Sequence, residues 1–230
     1  MKKILFSIVL VLLVCNLTYG ESEFLKITTV DKILDNVIEK FSKIKTFKAI
    51  FYLYRNIDGK EYYGKGVMKF KKPDRFIMKF FTPKDQVIVC DGKSLKIYIP
   101  ELKVIGEQKL AGTRSIFLKD IKSSLYTLKT KYNYSFVKSN KPVKLGNTLV
   151  YELLFEPREV GTGFKQLYLW VSEYWMIVKA KAINLKGDIT QISFKDIYVN
   201  AKVTDYELEF NPPIDAQTIL NPFLFNYKKR

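Results

Sequence analysis

The chain has 230 residues, 47% of them hydrophobic, and its 39 basic and 23 acidic residues give a formal net charge of +16 with no histidine. Without histidine an enzyme would lack the Ser–His and Cys–His nucleophile pairs and the commonest ligand of catalytic zinc, which leaves only carboxylate or lysine chemistry. We therefore expect a binding protein that is not an enzyme and needs no cofactor. The basic excess favours anionic surfaces, but the lysines are dispersed, and nucleic acid is not an expected partner.

The N-terminal segment has the layout of a secretory signal. Two lysines precede an apolar run, Ile4–Val14, and the segment ends in Thr18-Tyr19-Gly20, with small residues at the positions that precede a cleavage site. The apolar run is shorter than a membrane-spanning helix requires. We expect cleavage after Gly20, export to the periplasm and a single domain formed by residues 21–230.

Two segments have the periodicity of amphipathic helices. From Val30 to Ile44 apolar residues recur at positions i, i+3, i+4 and i+7, with charged residues on the other side. The same period returns between Ser115 and Leu128. Each segment is predicted to be a helix that covers part of a core.

The rest of the chain is dominated by short runs of alternating polarity separated by turn signals such as Asp58-Gly59 and Asn211-Pro212-Pro213. This spacing predicts a meandering antiparallel sheet in one domain. The predicted strands are Thr46–Arg55, Tyr62–Lys71, Arg75–Thr82, Gln86–Cys90, Ser94–Ile99, Leu102–Gln108, Tyr132–Ser139, Thr148–Glu156, Phe164–Val171, Trp175–Leu185, Ile189–Val199 and Asp205–Phe210.

One parity of the N-terminal strands is unusually bulky. Only two amphipathic helices are available to cover it, so the sheet either closes on a filled core or curls round an apolar cavity that holds a hydrophobic ligand. The methionines in this set would suit flexible acyl chains. The set, which we take as the candidate pocket, comprises Phe47, Phe51, Met68, Phe70, Phe76, Met78, Phe80, Leu95, Ile97 and Ile99.

The stretch from Lys45 to Pro100 resembles the outer-membrane lipoprotein carrier family (LolA-like). The family begins this region with a Phe-x-Ala-x-Phe strand, which Phe47–Phe51 matches, and continues with Gly-x-Leu-x-basic-Pro, which Gly66–Pro73 matches. It ends in V-x-DG-x-x-L-x-x-Y-x-P, and Val89–Pro100 matches this element. The later run from Gly187 to Pro213 is similar to the family's closing strands.

The resemblance implies an incomplete antiparallel β-barrel of about eleven strands, covered by two or three helices and enclosing a hydrophobic cavity. It implies a soluble, monomeric periplasmic chaperone without a cofactor. The chaperone would bind the acyl chains of lipoproteins, receive them from an inner-membrane ABC transporter and pass them to an outer-membrane acceptor.

The sequence departs from the family at the position before Pro73. Many members have an arginine there, which links the barrel to a covering helix in the closed state, whereas this chain has Lys72, and its arginine, Arg75, lies beyond the proline. Lysine cannot form the two-pronged contact of a guanidinium. Lys72 can still donate to a carbonyl, so we assign Lys72 and Arg75 to a lid or a docking surface.

Two alternatives stay open. The run that ends in Cys15 loosely matches a lipobox, although Val14 is a poor match for the small residue expected before the cysteine. A lipidated Cys15 would make the protein a membrane-anchored acceptor or envelope-stress sensor of the same superfamily. The other alternative is a periplasmic binder of lipopolysaccharide or phospholipid.

Overall fold

The computed structural model describes residues 28–110, 121–159 and 164–220. The predicted signal, its cleavage site after Gly20 and Cys15 lie outside these residues, as does the first part of the predicted second helix. None of the helices in the described part of the chain combines the length and the apolar character that a membrane crossing needs.

Helix α1, Val30–Lys43, confirms the first helical prediction. The side chain of Thr29 accepts a hydrogen bond from the backbone N–H of Lys32 and so caps the first turn. The apolar stripe is buried against the sheet, as the 3.6-residue period requires, through Val30, Ile33, Leu34 and Val37. A second helix, α2, spans Ile121–Lys131.

The rest of the described chain is mostly strand. The strands are β1 (Thr46–Ile57), β2 (Lys60–Lys71), β3 (Arg75–Thr82), β4 (Val87–Asp91), β5 (Ser94–Ile99), β6 (Val104–Lys109), β7 (Tyr132–Phe136), β8 (Val143–Leu145), β9 (Thr148–Pro157), β10 (Gln166–Ser172), β11 (Ile177–Ile183), β12 (Ile189–Val199) and β13 (Gln217–Leu220).

The described strands form one open, thirteen-stranded sheet in the order β13-β6-β5-β4-β3-β2-β1-β12-β11-β10-β9-β7, with β8 paired to β9. Neighbours are antiparallel except for β13, which runs parallel to β6. The sheet therefore has the predicted mainly β, incompletely closed architecture. It has more strands than the eleven implied by the family resemblance, and β8 and β13 are only three and four residues long.

The two faces of the sheet are distinguished by α1. Its buried residues pack with Leu153 of β9 and Leu169 of β10, and Leu169 lies directly opposite Ala180 of β11. Directly paired residues share a face. Following the register onward through Ile192 and Leu53 places the bulky parity of β1 on the same face as α1. We call this the inner face and its reverse the outer face.

A second layer covers the outer face over β3–β6. It is formed by residues 200–216, which we call the outer strap. The strap buries its apolar side chains against one continuous apolar patch of the sheet. The buried residues are Val203 and Leu208 from the strap and Ile77, Val87, Val89, Tyr98 and Ile105 from the sheet.

The predicted strand Asp205–Phe210 is wrong, because this part of the strap contains a short 3-10 helix, Tyr206–Leu208. The turn is stabilised locally, since the carboxylate of Glu207 accepts from the backbone N–H of Thr204 over 2.8 Å. Asp205 lies 2.8 Å from the ammonium of Lys71, so its side chain is held by the sheet. The alternating polarity of this segment arises because it packs its apolar side chains on the face of a sheet, although it is not itself a strand of that sheet.

Candidate functional site

All the residues of the predicted pocket lie on the inner face, but they fall into two groups by burial. Four are buried: Phe47, Phe51, Phe76 and Phe80. The other six are only half-buried: Met68, Phe70, Met78, Leu95, Ile97 and Ile99. The residues thus share one surface, which burial divides into a packed floor and a half-buried rim, and their role as a ligand pocket stays a prediction.

The buried floor is formed by interlocking aromatic rings. The rings of Phe51 and Phe80 meet edge to face with centroids 4.8 Å apart, and Gly66 of β2 lies between them in the register. A Cβ on Gly66 would come within 2.8 Å of the Phe51 ring. Glycine is needed here because the Phe51 ring and the backbone carbonyl of Lys79 occupy the space that a side chain would fill. Phe47 makes a similar edge contact with Phe194, at 5.8 Å.

The half-buried rim is a continuous apolar surface across four strands. Met68 pairs directly with Met78, Met78 with Ile88, and Ile88 with Ile97. A second row runs beside it from Phe70 to Leu95 through two residues of the buried floor, Phe76 and Cys90. Because each row crosses β2, β3, β4 and β5 in register, the side chains make one surface and not separate patches.

Ile88 belongs to this surface but was missed by the sequence prediction. The reason is that β4 is apolar on both faces: Val87 and Val89 are buried beneath the outer strap, while Ile88 and Cys90 face inward. A strand without polar alternation gives no indication of which parity faces a ligand. The pairing of Ile88 with Met78 on the neighbouring strand indicates its face, but that pairing is seen only in the structure.

Cys90 is a structural part of the floor. It is buried, and its sulfur accepts a contact from the backbone N–H of Gly92 at 3.4 Å. Burial raises the pKa of its thiol. A thiol held protonated in this way is a poor nucleophile and serves as a small apolar side chain.

Lys72 links the sheet to α1. Its ammonium donates a hydrogen bond to the backbone carbonyl of Ser42, in the last turn of α1, over 2.6 Å. A cation at this end of a helix is favourable because the last carbonyl groups are unpaired and carry the negative end of the helix dipole. Arg75 points elsewhere: its guanidinium pairs with Asp205 of the outer strap at 2.8 Å.

The N-terminal half of α1 is held by a separate polar cluster. The ammonium of Lys129 in α2 lies 2.9 Å from Asp35 and 3.1 Å from Asp31. The hydrogen bond to Asp35 raises the pKa of Lys129, so this lysine stays charged. The hydroxyl of Tyr134 also donates to Asp31, over 2.9 Å. The start of the helix is thus fixed by side chains of α2 and β7, whereas its end is held by Lys72, by packing and by the amide of Asn200, which donates to the Lys43 carbonyl over 3.4 Å.

The lining of the candidate pocket is apolar. The inner face presents hydrocarbon, ring and sulfur atoms, and the described part of the chain contains no cluster of three or more histidine, cysteine or acidic side chains arranged to hold a metal. An apolar surface with flexible methionines at its middle is suited to holding a hydrophobic chain without chemistry.

The family model for the outer membrane lipoprotein carrier protein LolA matches residues 42–211, from the last turn of α1 into the outer strap. The chain belongs to the LolA family. The matched residues include the whole inner face of β1–β6, together with Lys72 and its acceptor, Ser42.

A relative in this LolA family is the outer-membrane lipoprotein carrier protein of Legionella pneumophila (strain Lens). The two are 27% identical over 152 residues, which cover 64% of this chain and 69% of the relative. A second carrier, from Hahella chejuensis (strain KCTC 2396), is 25% identical over 159 residues that cover 67% of this chain and 71% of that one.

Solved structures share the fold at low identity. An uncharacterized conserved protein from Thermus thermophilus superposes with a TM-score of 0.56 at 12% identity, covering 84% of this chain and 99% of that chain. A chain of the Pseudomonas aeruginosa MucA/MucB complex superposes with a TM-score of 0.52 at 14% identity, covering 81% of this chain and 62% of that chain. At these identities the likeness establishes the architecture alone.

Proposed function

We propose that this protein is a periplasmic lipoprotein chaperone that holds acyl chains on its inner face and takes no part in catalysis. The observation that carries the proposal is the apolar rim on β2–β5, which runs in register across four strands and is only half-buried. A closed core would bury these side chains as fully as it buries Phe51. Membership of the LolA family supports acylated lipoproteins as the ligand.

The rim has the properties that a carrier needs. Burial of apolar surface contributes roughly 25 cal/mol per Å², so acyl chains are retained in proportion to the area they cover. Half-buried side chains such as Met68 and Met78 have already lost part of their hydration before cargo binds. Binding of cargo therefore gains less than it would on a fully exposed apolar surface, and release to an acceptor stays feasible.

Movement of α1 would enlarge the site. Lys72 and Asn200 are polar links between the C-terminal end of α1 and the sheet, and Phe41 on the same end packs against the buried floor near Phe47. If this end of the helix lifts while Lys129 holds the other end, Phe47 and its neighbours become accessible to cargo. The arrangement supports a lid that opens at the rim and hinges near α2.

The carrier role requires a transporter that loads the protein and an acceptor that unloads it. We propose an inner-membrane ABC transporter and an outer-membrane acceptor, in keeping with the family. The test uses inner-membrane vesicles that contain labelled triacylated lipoprotein, incubated with this protein with and without ATP. The expected result is an ATP-dependent, soluble one-to-one complex.

A variant with the rim made polar, Ile97→Asn, is expected to leave the lipoprotein in the vesicles while the folded protein is recovered intact. The matched control is Lys138→Gln, an exposed position between β7 and β8. Absence of the soluble complex with an active transporter would refute the carrier role. Lipid extraction of the protein would then test lipopolysaccharide and phospholipid as ligands.

The competing role is a membrane-anchored acceptor or stress sensor, supported by the position of Cys15 after an apolar run. Growth with a radioactive fatty acid distinguishes the two. Label that is absent from a Cys15→Ser variant but present in the unaltered chain would establish the anchor, whereas an unlabelled chain would favour the soluble carrier.

A further inference from the structure

We infer that the part of the outer face left open by the strap binds the anionic phospholipid surface of a membrane. This surface, which we call the open outer face, spans β10, β11, β12, β1 and β2. It consists of aromatic rings interleaved with lysines: Tyr52, Tyr54, Tyr63, Lys65, Tyr168, Trp170, Lys179, Lys181 and Lys195. It is the reverse of the acyl-binding rim's face, and the inference does not depend on the proposed carrier role.

The strand register arranges these side chains in two rows across the sheet. Along the first row the directly paired residues are Trp170, Lys179, Ser193, Tyr52 and Lys65. Along the second they are Tyr168, Lys181, Gln191, Tyr54 and Tyr63. Side chains at paired positions stand side by side on one face. The result is an extended surface with lysines between rings.

The lysines are packed on the rings. The ammonium of Lys179 lies 4.3 Å from the centre of the Trp170 ring, and that of Lys181 lies 5.6 Å from the centre of Tyr168. Lys65 and Lys195 approach the Tyr52 ring from two neighbouring strands, each at 5.4 Å. Cation–π contacts of this kind hold the ammonium groups close to the rings.

The basic side chains beneath the strap and those on the open outer face differ in whether they form ion pairs. Beneath the strap the basic side chains are neutralised: Lys69 pairs with Glu207, and Arg75 pairs with Asp205. On the open outer face none of the lysines takes part in an ion pair with any residue that the structure describes. Two carboxylates on this face are engaged by rings instead: Glu152 accepts from the Trp170 indole over 2.8 Å, and Glu61 accepts from the hydroxyls of Tyr54 and Tyr63, each over 2.8 Å.

The crowding of positive charge adds to the attraction for anions. Partial burial lowers the pKa of Lys179, and the nearby charge of Lys181 lowers it further. A phosphate group placed between the two ammonium groups would relieve this repulsion. The open outer face is therefore complementary in charge to a surface of phosphodiesters.

The aromatic rings of the open outer face favour a lipid surface over an acidic protein as the binding partner. Tyrosine and tryptophan have apolar bodies and polar tips, which suit the boundary between head groups and acyl chains. An open groove of about 500 Å³ is lined by Tyr52, Tyr54, Tyr63 and Lys65, and so offers a head group both rings and a cation. The lysines and rings are spread over five strands, and a membrane can present phosphate groups over an area of that size.

The test measures binding of the protein, purified as the cell processes it, to vesicles without lipoprotein. One set contains equimolar phosphatidylcholine and phosphatidylglycerol, and the other contains phosphatidylcholine alone. A lysine near an anionic surface contributes about fivefold in affinity, so Lys179→Gln combined with Lys181→Gln should lose about 25-fold. The control combines Lys138→Gln with Lys141→Gln, which removes the same charge from an exposed turn.

The orientation is read from tryptophan fluorescence, because the chain has only two tryptophans, and Trp170 lies on this surface. Brominated phosphatidylglycerol is expected to quench the emission of the unaltered protein, and Trp170→Phe should abolish the quenching. Melting curves of each variant confirm that it is folded.

Salt-sensitive binding to the anionic vesicles, loss in the Lys179/Lys181 variant alone and quenching at Trp170 would establish the inference. Equal binding to both vesicle types, equal loss in the control variant, or binding without quenching of Trp170 would overturn it. Binding to polyglutamate without binding to vesicles would also overturn it and would favour an acidic protein partner. None of these outcomes bears on lipoprotein transfer, which is measured separately.

Discussion

The rings of Phe51 and Phe80 meet at an angle of 75° above the backbone of Gly66, on three neighbouring strands in direct register. The contact packs the floor of the inner face, and the Phe51 ring lies so close to Gly66 that a Cβ there would come within 2.8 Å of it. The absence of a side chain at position 66 is thus a condition for the floor.

Gly66→Ala is expected to destabilise the protein by about 1–3 kcal/mol, the usual cost of overpacking. The added Cβ would lie 2.8 Å from the Phe51 ring and closer still to the Lys79 carbonyl, which is backbone and cannot give way. Urea unfolding measures the change. Gly64→Ala is the control, since its nearest neighbours lie at 3.1 and 3.2 Å and one of them is the edge of a ring. Equal midpoints for Gly66→Ala and the unaltered protein would contradict the packing described.

Ile97→Ala and Ile105→Ala are the same chemical change on opposite faces of neighbouring strands. Ile105 is 4% exposed beneath the outer strap, so its truncation should cost about 2–4 kcal/mol of stability without altering acyl binding by the folded protein. Ile97 is half-buried on the rim, so its truncation should cost less stability and weaken binding of a fluorescent fatty acid. Parallel losses of stability and binding in both variants would show that the inner face is closed core.

Lys72→Met is expected to loosen the end of α1 and to speed exchange of a bound fatty acid several-fold. A single exposed hydrogen bond contributes only about 0.5–1.5 kcal/mol, so overall stability should change little. Hydrogen exchange is the direct measurement, with faster exchange predicted in the last turn of α1, which contains Ser42. The control is Lys71→Met, whose ammonium pairs with Asp205 on the outer face. Unchanged exchange in α1 would mean that Lys72 does not hold this end of the helix, which packing and the Asn200 amide would then secure.

Acid should release the outer strap through Glu207. The hydrogen bond from Lys69, helped by the backbone N–H of Thr204, lowers the pKa of Glu207 from 4.5 to about 2. A depressed pKa in the folded state means stability that is present above pH 4.5 and is lost as the pH falls toward 2.

The difference in melting temperature between the unaltered protein and Glu207→Gln should therefore be largest above pH 4.5 and shrink between pH 4.5 and about 2. Glu209→Gln is the control, because it removes a nearby exposed carboxylate outside these ion pairs. A difference that stays constant down to pH 2 would show that the ion pairs of the strap do not contribute.

The elements that could be predicted from sequence are those that bury only one side, because their apolar residues then recur with a regular period. The stripe of α1 from Val30 to Val37 records a single buried side, and the alternation of β1 from Phe47 to Phe51 records a single apolar face. Both patterns survive in the structure because, among the described residues, no second layer covers their other side.

The features that sequence could not predict depend on a second layer or on a distant partner. The outer strap makes both faces of β4 apolar, which concealed Ile88, and gives the strap itself a strand-like alternation. The hydrogen bond from Lys72 reaches the carbonyl of Ser42, thirty residues earlier in the chain, and a backbone acceptor has no sequence motif. The family resemblance supplied the position of Lys72 but not its acceptor.

The parallel pairing of β13 with β6 has a consequence for how this protein behaves at high concentration. Without β13, the six residues of β6 would present unpaired N–H and C=O groups at the end of the sheet, beside an apolar rim. Such a border is a template on which a second chain can add a strand, and sheets that also carry exposed apolar surface polymerise in this way. A strand of four exposed residues offers a much shorter template. By covering the edge of β6, strand β13 thus disfavours self-assembly of the protein through this end of the sheet.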